Sequence, residues 1–287
     1  MSNFKNFLLI IALATSSMLA HAADKSGEIP FKLVQGFAIV VRGEIGPMHD
    51  LNFLLDTGAV PSVLSQRAAS QLGIRGMKGS LTVLSHETQA EYLDVEGLNL
   101  GWVHPDRLPM VVVDLAHLEQ RLGIKIDAII GLDLFVGQDI SIDYKHRIIT
   151  RGLSGQTRHS VAVESFTAAG APYWVLPISL GGAQFRVLLD TGANDVGLFA
   201  LRASGQFKLA KNQTVSHQSA TGEQNANTLS PMTLLLSDAK FKNQSAIVLG
   251  DAPGPLREID GILGPTALGI TRIELDWAQQ RLRWDSQ

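Results

Sequence analysis

The chain has 287 residues, 45% hydrophobic and 18% charged, enough to bury two modest cores, and its 27 glycines and 11 prolines suit a turn-rich β protein. A formal charge of −3 without any run of lysine or arginine gives no reason to expect a nucleic acid partner. With no cysteine, neither a disulfide nor a lipoprotein acyl anchor is available.

Residues 1–22 read as an export signal: Lys5 supplies the positive start, Phe7 to Leu19 the apolar stretch, and Ala20-His21-Ala22 a small-x-small cleavage site before Ala23. The apolar stretch is too short to span a bilayer. The expectation is therefore a periplasmic or secreted product with no stable membrane anchor after cleavage near Ala22/Ala23. Residues 31–45 and 50–56 then read as strands around the turn Gly46-Pro47, the second ending in the run Leu51-Asn52-Phe53-Leu54-Leu55 just before Asp56. Ser65 is a cap for a helix from Gln66 to Leu72, stopped by Gly73, and Asp114 for a second from Leu115 to Leu122, stopped by Gly123. Gly152 to Pro172 is rich in Ser, Gly and Ala, with one β-like patch at Val161-Ala162-Val163, and reads as a connector. A second hairpin follows from Tyr173 to Leu180, turns at Gly181-Gly182 and runs through Phe185-Arg186-Val187-Leu188-Leu189 into Asp190.

The last segment repeats the first. Asp56-Thr57-Gly58-Ala59 and Asp190-Thr191-Gly192-Ala193 each end an apolar run, and the two aspartates are 134 residues apart. Asp127, before Ala128-Ile129-Ile130-Gly131, and Asp260, before Gly261-Ile262-Leu263-Gly264, are 133 apart, as are Asp143 and Asp276. Constant offsets across three motifs identify a tandem duplication. The division is a signal at 1–22, a first unit at 23–151, a connector at 152–171 and a second unit at 172–287.

These residues resemble the retropepsin-like aspartic peptidases, in a two-lobed, single-chain bacterial form. An apolar strand leads into Asp-Thr-Gly-Ala, and some 70 residues later Ile130-Gly131, matched by Leu263-Gly264, precedes a short helix and a strand. The resemblance implies an all-β fold with a few short helices, built as two acid-protease lobes in pseudo-twofold tandem. It also implies that Asp56 and Asp190 are the catalytic pair, activating a water between them to hydrolyse peptide bonds. Two carboxylates held at about 3 Å cannot both ionise cheaply, so the pair titrates as a unit and keeps one proton. Gly58 and Gly192 permit the tight backbone and offer N–H groups to the carboxylates. Thr57 and Thr191, by the same resemblance, cross-bond each hydroxyl to the opposite loop. Many pepsins carry a hydroxyl where Ala59 and Ala193 stand; without it the pair should titrate higher and give a mildly acidic optimum.

Ile130, Gly131, Leu263 and Gly264 read as core strands supporting the catalytic loops, with glycine allowing a close crossing. Asp127 and Asp260 read as turn or loop residues, and Asp143 and Asp276 as exposed turn residues at strand ends. Candidate flaps are 84–90, with Ser85 and His86, and 218–227, with Thr221 and Gly222; Tyr92, the nearest tyrosine to a flap, reads as core. The four tryptophans read as core or lobe-interface residues. His86, His104 and His117 show no zinc spacing, so neither metal nor cofactor is expected. The partner is a peptide or protein substrate, and with both half-sites in one chain a monomer should suffice. Two alternatives stay open beside the aspartic endopeptidase: a non-catalytic module binding peptide or cell-wall fragments, and a narrow single-substrate processing protease.

Overall fold

The structure, a computed structural model, describes residues 27–83, 86–168, 171–207, 214–219, 222–252 and 254–287, and side chains at 80–88, 168–171, 208–225 and 253–255 are outside the description. The export signal lies outside the described residues. The first half runs β1 (Glu28–Val34), β2 (Ala38–Ile45), β3 (Met48–Leu55), β4 (Ser62–Ser65), α1 (Gln66–Leu72), β5 (Met77–Val83), β6 (His86–Val95) and β7 (Leu98–Asn99). It continues with β8 (Leu108–Val113), α2 (Ala116–Leu122), β9 (Ala128–Ile130), a 3-10 turn (Leu132–Phe135), β10 (Ile140–Asp143) and β11 (Ile148–Arg151). The second half runs β12 (His159–Ala162), β13 (Glu164–Ala168), β14 (Ala171–Leu180), β15 (Ala183–Leu189), β16 (Val196–Phe199), α3 (Ala200–Gln206) and β17 (Thr214–Ser219). It ends with β18 (Gly222–Leu236), β19 (Ala239–Leu249), 3-10 turns at Gly254–Glu258 and Pro265–Leu268, β20 (Gly261–Leu263), β21 (Ile270–Asp276) and β22 (Arg281–Ser286). The fold is β-rich with short helices, and its two barrel-like sheets are consistent with two tandem lobes.

Local signals place α1 well. Ser65 accepts a hydrogen bond from the Ala68 N–H, and Gly73 closes the helix in the left-handed region at φ 67°. The second helix starts one residue late, at Ala116, whose N–H donates to the Asp114 carboxylate. The expected strand over 31–45 is two strands, because Gln35 and Gly36 turn the chain at φ 50° and 81°.

The halves repeat at the level of pairing. Phe53, Leu54 and Leu55 lie parallel to Ala128, Ile129 and Ile130; Val187, Leu188 and Leu189 lie parallel to Gly261, Ile262 and Leu263. Strand β1 does two jobs, pairing β11 through residues 28–30 and β2 through residues 31–34. The stretch expected as a connector does the same work with two strands: β12 pairs β22 and β13 pairs β14. Six strands in the order β12-β22-β21-β10-β11-β1 then form an antiparallel platform centred on the β10–β21 pair, which joins the halves.

Alternation along the strands before the two aspartates decides the core. Phe53 and Leu55 join Val187 and Leu189 in one cluster that crosses both halves, while Leu54 and Leu188 face the opposite way into a smaller cluster of their own half. The expectation of two separate cores is thus replaced by one shared core with a satellite on each side. Trp174 and Trp284 are fully buried in the shared core, and Trp277 packs on Trp174 at 5.1 Å between ring centroids. Tyr92 is half-buried against the first satellite.

Asp143 and Asp276 are not exposed turn residues. They are 7% and 1% exposed, and each caps the turn after its strand, accepting from the N–H groups of His146 and Gln279. Arg272 reaches from β21 to Asp143 across the platform, and Arg283 pairs with Asp276 at 2.8 Å. Burial alone would raise the Asp143 pKa, but its bonds to His146 and Arg272 outweigh it and hold the group at about 2. Neither local sequence nor spacing announces a cation arriving from a strand about 130 residues away.

Candidate active site

Asp56 and Asp190 stand where β3 and β15 leave the core, and the two turns are built alike. The Asp56 N–H donates to the Ile130 carbonyl at 2.9 Å, and the Asp190 N–H to that of Leu263 at 3.0 Å. One residue on, the polypeptide crosses very close to Gly131 and Gly264. A Cβ on Gly131 would lie 1.8 Å from the Ala59 carbonyl oxygen, and one on Gly264 would lie 2.3 Å from that of Ala193. Only glycine leaves room there.

Each loop then contributes to the other. The Thr57 hydroxyl donates to the Leu189 carbonyl and accepts from the Thr191 N–H; the Thr191 hydroxyl donates to the Leu55 carbonyl and accepts from the Thr57 N–H. Both threonines are 1% exposed. The Gly58 N–H donates to Asp56 at 2.8 Å and the Gly192 N–H to Asp190 at 2.9 Å. Each glycine also lies against the opposite carboxylate: a Cβ on Gly192 would sit 2.5 Å from Asp56 Oδ2, and one on Gly58 would sit 2.9 Å from Asp190 Cγ.

The two carboxyl groups are within hydrogen-bonding reach of each other. Burial raises both pKa values. For Asp190 the charge of Asp56 adds to the effect and places it well above the ordinary carboxylate range, whereas hydrogen bonds partly offset the rise for Asp56. The physical content is one proton shared by a pair and retained to higher pH than either carboxyl would keep alone. Such a pair can hold one acid and one base on the same bound molecule.

Asp127 and Asp260 are away from this pair and have equivalent structural duties. Asp127 accepts from the Asn52 N–H and pairs with Arg67 at 2.8 Å; Asp260 accepts from the Arg186 N–H and pairs with Arg202. The candidate flaps occupy equivalent hairpins, β5–β6 with Val83 opposite His86, and β17–β18 with Ser219 opposite Gly222. Ser85 and Thr221 lie outside the described residues, as do the side chains of His86 and Gly222's neighbours.

Sequence reasoning missed Asp133, Ser62 and Tyr173. Ser62 donates from N and Oγ to the Asp133 carboxylate at 2.7 and 2.6 Å, and the Tyr173 hydroxyl donates to the Val60 carbonyl at 3.0 Å. Asp133 stood in plain view in Gly131-Leu132-Asp133-Leu134-Phe135, but nothing local links it to Ser62, 71 residues earlier.

A family model described as aspartyl protease matches residues 41–134, a span that holds Asp56, Gly131 and Asp133. The match supports an aspartic protease family, and with it an aspartic-type peptidase activity in general terms. No curated protein matches the chain.

Proposed function

We propose that the chain is an aspartic endopeptidase whose two half-sites, Asp56 and Asp190, come from tandem lobes of one polypeptide. The observation that carries this reading is the reciprocal threonine bonding, which brings two Asp-Thr-Gly loops face to face with each glycine against the other's carboxylate. In the singly protonated pair, one carboxylate takes a proton from a water held between them while the other donates a hydrogen bond to the scissile carbonyl. The water oxygen attacks the carbonyl carbon and the resulting oxyanion is stabilised by the acid, with no covalent enzyme adduct. Proton transfer to the leaving nitrogen then breaks the C–N bond.

An extended substrate with apolar side chains beside the bond fits this reading, as does a monomer acting in the periplasm or outside the cell. The test is incubation of the protein from Ala23 onward with an unbiased peptide mixture between about pH 3 and 7, beside Asp56→Asn and Asp190→Asn, with cleavage read by mass spectrometry. Cleavage by the wild type and by neither variant is the expected result. Cleavage that survives in either variant would remove the shared-proton mechanism.

A further inference from the structure

We propose that Asp133 and Tyr173 are positioning residues for Asp56, fastening the loop that carries it while the Asp190 loop stays able to adjust. The kinetic part of this inference rests on the peptidase reading; the structural part does not.

The two loops share a strand register and differ in what holds them: the Gly131 N–H donates to the Ser62 hydroxyl, whereas the Gly264 N–H donates to the Asp195 carbonyl at 2.9 Å. Past Asp56, the chain is tied on both sides of Pro61. Tyr173, from β14 of the other half, donates its hydroxyl to the Val60 carbonyl at 3.0 Å. Ser62 gives two hydrogen bonds to Asp133, and its Oγ accepts from the Gly131 N–H at 2.9 Å. Asp133 is itself fixed by the Leu134 N–H at 3.1 Å. Pro61 adds a residue whose φ is set by its ring.

The same positions in the second half cannot make these bonds. Strand register makes Val196 the counterpart of Ser62, since Val63 pairs with Ile129 as Gly197 pairs with Ile262. By register again, Ala38 is the counterpart of Tyr173, because Val40 pairs with Leu54 as Val175 pairs with Leu188. Neither Val196 nor Ala38 has a polar side-chain atom. Thr266 stands where Asp133 does in the repeat, and its buried hydroxyl has no partner among the described residues. Three changes at equivalent sites thus leave the second loop with the backbone bond at Asp195, while the first keeps the side-chain bonds from Ser62, Asp133 and Tyr173. Catalytic groups need their geometry fixed by such supporting contacts. A fixed half and an adjustable half allow the pair to tighten on a bound substrate without both loops moving.

The experiment measures amide hydrogen exchange in the wild type and in Ser62→Ala, Ser62→Thr, Asp133→Asn and Tyr173→Phe, with kcat and KM on any peptide the wild type cuts. Tyr173→Phe keeps the ring and its packing, so it is the variant least exposed to loss of fold. In the wild type, residues 57–62 should exchange about tenfold more slowly than 191–196. Ser62→Ala, Asp133→Asn and Tyr173→Phe should each speed exchange about tenfold in 57–62 alone and lower kcat about tenfold with KM unchanged, while Ser62→Thr restores both. Equal exchange of the two loops in the wild type, or faster exchange spread over the whole protein in the variants, would overturn the inference whether or not any peptide is cut. A wild type that cuts nothing while showing the expected exchange pattern would instead count against the peptidase reading alone.

Discussion

Thr57 and Thr191 anchor each other: each hydroxyl accepts the other's backbone N–H at 3.0 Å and donates to the carbonyl just before the opposite aspartate, at 2.7 and 3.0 Å. Replacing either by valine keeps the shape but leaves a buried N–H and a buried carbonyl unpaired, a loss of about 2–4 kcal/mol. Denaturant unfolding should show that loss for each single variant and clearly less than the sum for the double, because both belong to one network. Thr57→Ser, which keeps the hydroxyl, should recover most of the stability.

Gly58 and Gly192 are limited by the opposite carboxylate rather than by backbone conformation. A methyl at residue 192 would meet Asp56 Oδ2 at 2.5 Å and one at residue 58 would meet Asp190 Cγ at 2.9 Å. Gly192→Ala should therefore displace Asp56 and lower kcat/KM by about a hundredfold while the protein stays folded. Gly131→Ala is a different case, because its methyl would strike the Ala59 backbone oxygen at 1.8 Å, and circular dichroism melting should show a large loss of stability.

Burial and the Asp56 charge raise the Asp190 pKa in the folded protein. A carboxyl with a raised folded pKa binds more protons folded than unfolded, so stability falls as pH rises above the unfolded value of about 3.9. Asp190→Asn removes that loss. Its melting temperature should exceed that of the wild type at pH 7, and the gap should close as pH approaches about 4. A wild type more stable than Asp190→Asn at pH 7 would contradict the raised value. The same retained proton predicts peptidase activity that persists into the mildly acidic range rather than only below about pH 3.

Asp143 has the opposite sign. Its pKa is held at about 2, below the unfolded value, so its stabilisation is present at neutral pH and is lost as pH falls from about 4 through 2. Arg272→Leu leaves the buried carboxylate with His146 alone and should cost about 3 kcal/mol at pH 7. Urea titrations at pH 7 and near pH 3 should show the cost shrinking at the lower pH, and since Arg272 and Asp143 lie on the two central platform strands, the unfolding should remain a single transition.

What the residues alone determined were features whose causes lie within a few positions of one another. The repeated Asp-Thr-Gly-Ala, the apolar runs ahead of it, the Ser65 cap and the Gly73 stop were all legible, because capping, alternation and the need for glycine at a tight crossing are local physics. What only the tertiary structure decided was set by partners far along the chain. In a stretch rich in small polar residues β12 showed only as the β-like patch Val161-Ala162-Val163 and β13 not at all, since they form through pairing with β22 and β14. Asp143 and Asp276 looked like surface turn residues because a carboxylate after a strand is ordinarily solvated. They are buried because Arg272 and Arg283 compensate them and turn N–H groups donate hydrogen bonds to their oxygens. Asp133, Ser62 and Tyr173 went unread for the same reason: a hydrogen bond between residues 71 or 113 positions apart leaves no periodicity in the sequence, only a geometry in the folded chain.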